Sequence, residues 1–224
     1  MRYLRYLYSS RRNLASAIMV VILASVAPAF AQAGGRFDAA GFREGDIIFQ
    51  SSSSSQSKAI ELATRSRYSH CGIVVKVGNR LYVYEAVGPV RYLPLQEWIA
   101  LGKGGRYALR RLKNANTLLT AEAMDKIRKV GETFKGKPYD FTFGWSDERI
   151  YCSELVYKIY SRALGLKVGK IRRLGDFDLT HPAVRKELRE RYGENIPLEE
   201  PVVSPQDIFE SDLLVSVEGG SKTR

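Results

Sequence analysis

The chain has only two cysteines, Cys71 and Cys152, and only two histidines, His70 and His181, among 224 residues. That scarcity excludes a disulfide-stapled scaffold, since one bridge at most can form. It also excludes a Cys/His zinc module, because these four residues show no zinc-ligand spacing. Acidic residues are short as well: 24 Asp and Glu face 35 Lys and Arg, a formal net charge of +11. Such charge often marks a nucleic-acid partner, but no clustered Arg/Lys–aromatic motif accompanies it. No second linker or low-complexity break divides the chain after its N-terminal leader, which argues for one domain.

Residues 1–31 read as that leader. Arg2, Arg5, Arg11 and Arg12 precede an apolar run from Leu14 to Val26, then Pro28 and the small-x-small site Ala29-Phe30-Ala31. This predicts a signal peptide, a mature start near Gln32, and export to the periplasm. Ala31-Gln32-Ala33 is a second cleavage site, and an uncleaved anchor is the alternative, because such a run can just span a bilayer. Ser10-Arg11-Arg12-Asn13-Leu14 partly matches a twin-arginine signal, so both export routes stay open. Without the leader arginines the charge is +7, which would draw the protein to anionic cell wall or lipid headgroups. About 190 residues remain, enough for one domain that buries roughly 70% of its unfolded surface.

Gly45-Asp46 followed by Ile47-Ile48-Phe49-Gln50 predicts a turn into a short buried strand. After the Ser51–Ser55 run, Ser57 is expected to cap a helix from Lys58 to about Arg65 with Ile60, Leu62 and Ala63 buried. His70–Val77 and Leu81–Val87 form a predicted hairpin around Gly78-Asn79, and Tyr107–Leu112 a further strand. Helices are predicted from Thr120 to Val130 or Phe134, from Cys152 to Leu164 with Gly165 as terminator, and from His181-Pro182 to about Tyr192. Ser204-Pro205-Gln206-Asp207 has the cap, proline and acid of another helix start. The residues after Glu218 are expected to be disordered.

The predicted helix at Cys152 matters for chemistry. A cysteine in the first turn gains thiolate character from the helix dipole and from a neighbouring imidazolium. The alternative is an inert buried cysteine. Of the two histidines, His181 reads as a solvated helix-start residue, whereas His70 begins a strand among small residues and suits a base; a core histidine is its bland reading. If Gly78-Asn79 is a two-residue turn, Val77 pairs with Arg80 and Gly72 lies opposite Glu85. Glu85 is then diagonal to His70 on the same face, where it can orient the imidazole. A one-residue slip would turn it away. Strand alternation points Cys71 to the opposite face with Ile73 and Val75, as a core residue. That placement also weakens a Cys71–Cys152 disulfide, which otherwise stands as the alternative use of the two thiols.

The stretches Gly45-Asp46-Ile47-Ile48-Phe49, Tyr68-Ser69-His70-Cys71-Gly72, Tyr84-Glu85-Ala86-Val87-Gly88-Pro89, Gly136-Lys137-Pro138-Tyr139-Asp140 and Tyr151-Cys152-Ser153-Glu154-Leu155 occur in this order. They resemble the YiiX/YebB family of permuted papain-like cysteine hydrolases, a branch of the NlpC-type group, over about residues 41 to 210. The resemblance implies an α+β, circularly permuted papain-like fold in which an antiparallel sheet packs against helices, one of them starting at the nucleophile. It implies Cys152 as nucleophile, His70 as base and Glu85 as acid, with Tyr139 and Tyr151 at the substrate and neither metal nor cofactor. The implied domain spans residues 32–224 with a helical C-terminal extension. The implied substrate is an amide in peptidoglycan stem peptides. A lipid-like acyl substrate, as for relatives of the lecithin-retinol acyltransferase type, and a non-catalytic cell-wall binding module are the alternatives. No oligomeric state is implied.

Overall fold

The computed structural model describes residues 41–217. The leader and cleavage site, and the tail after Glu218, lie outside the described residues. In chain order the elements are β1 (Ile47–Gln50), α1 (Ser55–Thr64), β2 (His70–Val77), β3 (Arg80–Glu85), β4 (Arg91–Pro94), α2 (Leu95–Leu101), β5 (Ala108–Leu112), α3 (Ala115–Leu118) and α4 (Ala121–Glu132). After them come α5 (Cys152–Leu164), β6 (Arg172–Arg173), α6 (Pro182–Tyr192), β7 (Pro201–Val202), α7 (Pro205–Phe209) and β8 (Leu214–Ser216).

Six strands form one antiparallel sheet in the order β4-β3-β2-β1-β5-β8, and β6 and β7 form a separate ribbon. β1 lies inside the sheet, and both faces of its strand are covered, which is why Ile47-Ile48-Phe49 is apolar without alternation. Ile47, Phe49, Cys71, Ile73 and Val75 face the cluster that contains Leu155, Val156 and Ile159 of α5 and Ile127 of α4. Ile48, Val74, Val83 and Leu109 face a second cluster with Leu95, Trp98 and Ile99 of α2. The β2–β3 hairpin therefore sits between α5 on one side and α2 on the other.

The turn at Gly78-Asn79 sets the register as expected, with Val77 opposite Arg80 and Ile73 opposite Tyr84. Continuing that pairing brings Gly72 level with Glu85. Glycine is required there, because a Cβ would lie 2.4 Å from Val83 Cγ1 and 2.8 Å from the Tyr84 carbonyl oxygen. β3 ends at Glu85, two residues before its predicted end, and β5 begins at Ala108.

The first helix differs from expectation. Ser54, not Ser57, is its N-cap, with Ser54 Oγ accepting from the Ser57 N–H at 3.1 Å. Ser57 lies inside the helix, and its hydroxyl bonds that of Ser69. The buried helix residues are Ser57 and Ala59, while Ile60, Leu62 and Ala63 are only partly covered. α4 begins one residue after Thr120, whose Oγ1 accepts from the Ala123 N–H. α5 and α6 have their expected bounds, and His181 caps α6 through Nδ1, 3.1 Å from the Ala183 N–H. β4, α2, β8 and the β6–β7 ribbon were not foreseen.

Candidate active site

Cys152 is the first residue of α5, a 13-residue helix whose N-cap is Tyr151. The start of this helix is pinned on three sides. The Tyr151 N–H donates to Glu154 Oε2, the Val203 N–H donates to the Tyr151 hydroxyl at 3.2 Å, and Ser153 Oγ donates to the Val203 carbonyl at 2.7 Å. One turn further, Glu154 pairs with Lys158 at 2.6 Å, and Lys158 also donates to the Ser146 carbonyl and to Asp147. Burial pushes Glu154 up to about 8 despite that ammonium. These bonds fix the loop that precedes α5 against the helix, so the Cys152 sulfur has little freedom to move.

His70 is the first residue of β2, and its Nε2 lies 2.7 Å from Glu85 Oε2. Its ring stacks on Trp98 with centroids 5.8 Å apart. Glu85 is 2% exposed and receives two further donors, Trp98 Nε1 at 2.8 Å and Arg91 Nε at 3.1 Å. Burial alone would raise this carboxyl. The bonds from His70, Arg91 and Trp98 outweigh burial and hold it below the usual carboxylate range. Burial likewise opposes charge on His70, but the Cys152 thiolate and the Glu85 carboxylate bonded to it raise the imidazole to about 10. This shift and the lowered Cys152 thiol favour an imidazolium beside a thiolate, the ionised state in which a cysteine attacks.

Cys71 requires a correction. It does point away from His70 and is fully buried with Ile73 and Val75. That face, however, is the one covered by α5, so alternation brings Cys71 to Cys152 instead of separating them. Cys71 donates to the Cys152 sulfur from its thiol, and this is the largest cause lowering Cys152 well below an ordinary thiol; burial opposes it, and His70 and the Cys71 N–H add to it. Burial and the neighbouring thiolate raise Cys71 well above the ordinary thiol range, so it remains a donor. Both cysteines are free.

Two cavities meet at this centre. An apolar chamber of ≈ 80 Å³ reaches Cys152 between α1, α6 and the β7 segment, and its walls include Ala59, Phe143, Leu174, Phe177, Val184 and Val202. A cleft of ≈ 150 Å³ reaches His70 and is lined by Gln50, Ser52, Ser54, Ser57 and Ser69. Gln56, Ile60 and Tyr139 line both, and Gln56 Nε2 donates to the Tyr139 hydroxyl at 3.1 Å. Burial and then the Cys152 charge keep that phenol protonated. Tyr151 contributes its ring to the chamber wall, while its hydroxyl is engaged by Val203. His181 is exposed at the start of α6 and lines neither cavity.

Sequence reasoning placed His70, Glu85 and Cys152 together, and it missed Trp98, Arg91 and Gln56. Trp98 and Arg91 lie in the unforeseen β4–α2 segment. An arginine shortly after Gly88-Pro89 was the one available signal.

Comparison with known proteins gives consistent findings. The model of the permuted papain-like amidase enzymes, YaeF/YiiX family, matches residues 41–218. YiiX of Escherichia coli strain K12, described as an uncharacterized protein, is 53% identical over 173 residues, covering 77% of this chain and 84% of that protein. The crystal structure of YiiX from E. coli O157:H7, titled a metalloprotein, superposes with a TM-score of 0.75 at 53% identity, covering 78% of this chain and 96% of that one.

Proposed function

The chain belongs to the permuted papain-like amidase family, has its α+β fold and is a cysteine hydrolase; from that premise we propose that it removes a short apolar acyl group from an amine. The observation that carries this reading is the apolar chamber that ends at Cys152. An acyl group must lie beside the sulfur that takes it up, and the walls there are mostly apolar, with the Glu187–Arg191 ion pair as their charged part.

In this mechanism the Cys152 thiolate adds to the amide carbonyl, and backbone N–H groups at the start of α5 hold the oxyanion. The His70 imidazolium gives its proton to the departing amine, leaving a thioester on Cys152. Neutral His70 then takes a proton from water as it attacks the thioester, the carboxylic acid leaves, and thiolate and imidazolium are restored. Glu85 keeps the imidazole oriented throughout, and Tyr139 stands between acyl and leaving sides. One solved relative is titled a metalloprotein. Among the described residues of this chain, no group of three or more His, Cys, Asp or Glu side chains is arranged to hold a metal ion. Every step above uses protein groups.

Peptidoglycan stem peptides are the second reading, supported by the Ser- and Gln-lined cleft beside His70, which suits a polar peptide. Incubating the purified protein with N-acyl amines of short and long chain, phospholipids and muropeptides, followed by mass spectrometry, separates the two. Release of the carboxylic acid and free amine from the short-chain N-acyl amines is expected. Cleavage of muropeptides alone would replace the acyl-amine reading with the peptide one.

The leader supports an exported site of action, and the basic balance supports contact with an anionic envelope surface. N-terminal sequencing of the protein from an envelope fraction should return a start near Gln32; a start at Met1 would make the segment an anchor.

A further inference from the structure

A third cavity, of ≈ 610 Å³, opens beyond the polar cleft and shares Gln50 with it. Its charged lining is Lys58, Arg67, Lys103 and Arg106 against the single carboxylate of Glu61, which sits 3.8 Å from Lys58. These cations come from three separate segments, and Ser51 ties two of them together. Ser51 Oγ donates to the Arg67 carbonyl at 2.6 Å, and the Ser51 carbonyl accepts the Lys103 N–H at 2.8 Å. Gly104 and Gly105, both at positive φ, close a tight turn in which the Arg106 Nε bonds the Lys103 carbonyl. That turn brings two cations to one rim. Gln50 is 5% exposed, and its Oε1 has no hydrogen-bond partner.

The order of the cavities gives this basin a role. The apolar chamber meets Cys152, the polar cleft meets His70, and the basic basin follows the cleft. Since His70 protonates the departing amine, the leaving half of the substrate must extend from His70 along the cleft. We propose that the basin is an anion subsite that holds a phosphate group on this leaving half, so that the substrate is an N-acylated amine bearing a phosphate. Several cations around one concave site favour a phosphate through charge-assisted hydrogen bonds and local field focusing. The assignment rests on the acyl-amidase reading for the substrate, but the basin itself can be tested without turnover.

Calorimetric titration with glycerol 3-phosphate and with inorganic phosphate should show saturable binding to the native protein and to Cys152→Ala. Binding should weaken about tenfold or more in Lys103→Glu/Arg106→Glu and in Lys58→Glu/Arg67→Glu, because like charges then face the phosphate. In turnover, an N-acyl ethanolamine phosphate should be preferred over the neutral N-acyl ethanolamine, and that ratio should collapse in both double variants. Inorganic phosphate should inhibit the first substrate selectively. No saturable binding, or equal binding in both double variants, overturns the subsite. Turnover of both substrates without preference also overturns it while leaving the amidase reading intact; phosphate binding without turnover of either acyl substrate upholds the subsite and removes that reading.

Discussion

Cys152→Ala should lower kcat by about 10⁴-fold or more, since removing the nucleophile of a concerted catalytic group costs about as much as removing the whole group. Three features make the effect large: Cys152 starts α5, meets the His70 imidazolium, and forms the end of the apolar chamber. The contrast with Cys71 is the informative part. Cys71→Ala should keep activity but lose about tenfold, because the charged sulfur forfeits one hydrogen bond. Alkylation by iodoacetamide at mildly acidic pH should modify Cys152 well before Cys71, and should slow in both Cys71→Ala and His70→Ala. Preferential modification of Cys71, or full activity in Cys152→Ala, would remove the assignment.

The second large effect is expected at Glu85. Glu85→Gln keeps the side-chain volume and two of the bonds around it, but removes the charge that His70 faces. A loss on the order of ten- to a thousandfold in kcat/KM follows, below the ~10⁴ seen when the acid of a serine-protease triad becomes an amide. The pH dependence separates this from simple destabilisation. His70 is raised to about 10, so its contribution to stability is complete below the unfolded value near 6.5 and is lost as pH rises through 10. Glu85 is lowered, so its contribution is present above the ordinary carboxylate range and is lost as pH falls through its depressed value. In Glu85→Gln the imidazole loses a partner, and the alkaline limb of the rate profile should move to lower pH. An unchanged limb, measured beside unfolding by urea, would reduce Glu85 to a structural residue.

Much of this centre was legible because local chemistry dictated it. Gly78-Asn79 allows one tight turn, and the period of two then carries Glu85 to His70. α5 was legible from its apolar stripe and from Gly165, which takes the left-handed conformation at φ 70. The five serines before Gln56 were not, because each is a competent cap and only the packing of Ser57 on Ser69 selects Ser54. Trp98 and Arg91 escaped for a different reason. β4 is four residues long, and it joins the sheet through pairing with β3 that no local pattern announces. Cys71 shows the limit of alternation itself, which gives the face of a strand but not the helix that covers it.

The chamber wall has a consequence for how this enzyme can change over evolutionary time. Base and acid come from residues 70–85 and the nucleophile from residue 152, whereas much of the chamber is built by residues 174–205. On the proposed reading, chemistry and acyl selectivity are thus encoded in separate stretches of chain, joined at the Tyr151 and Ser153 bonds to Val203. Substitutions at Leu174, Phe177, Val184 or Leu188 can lengthen or shorten the chamber without entering the hairpin that sets the ionised pair. Related chains should therefore diverge in the acyl group they accept sooner than in the way they cleave it.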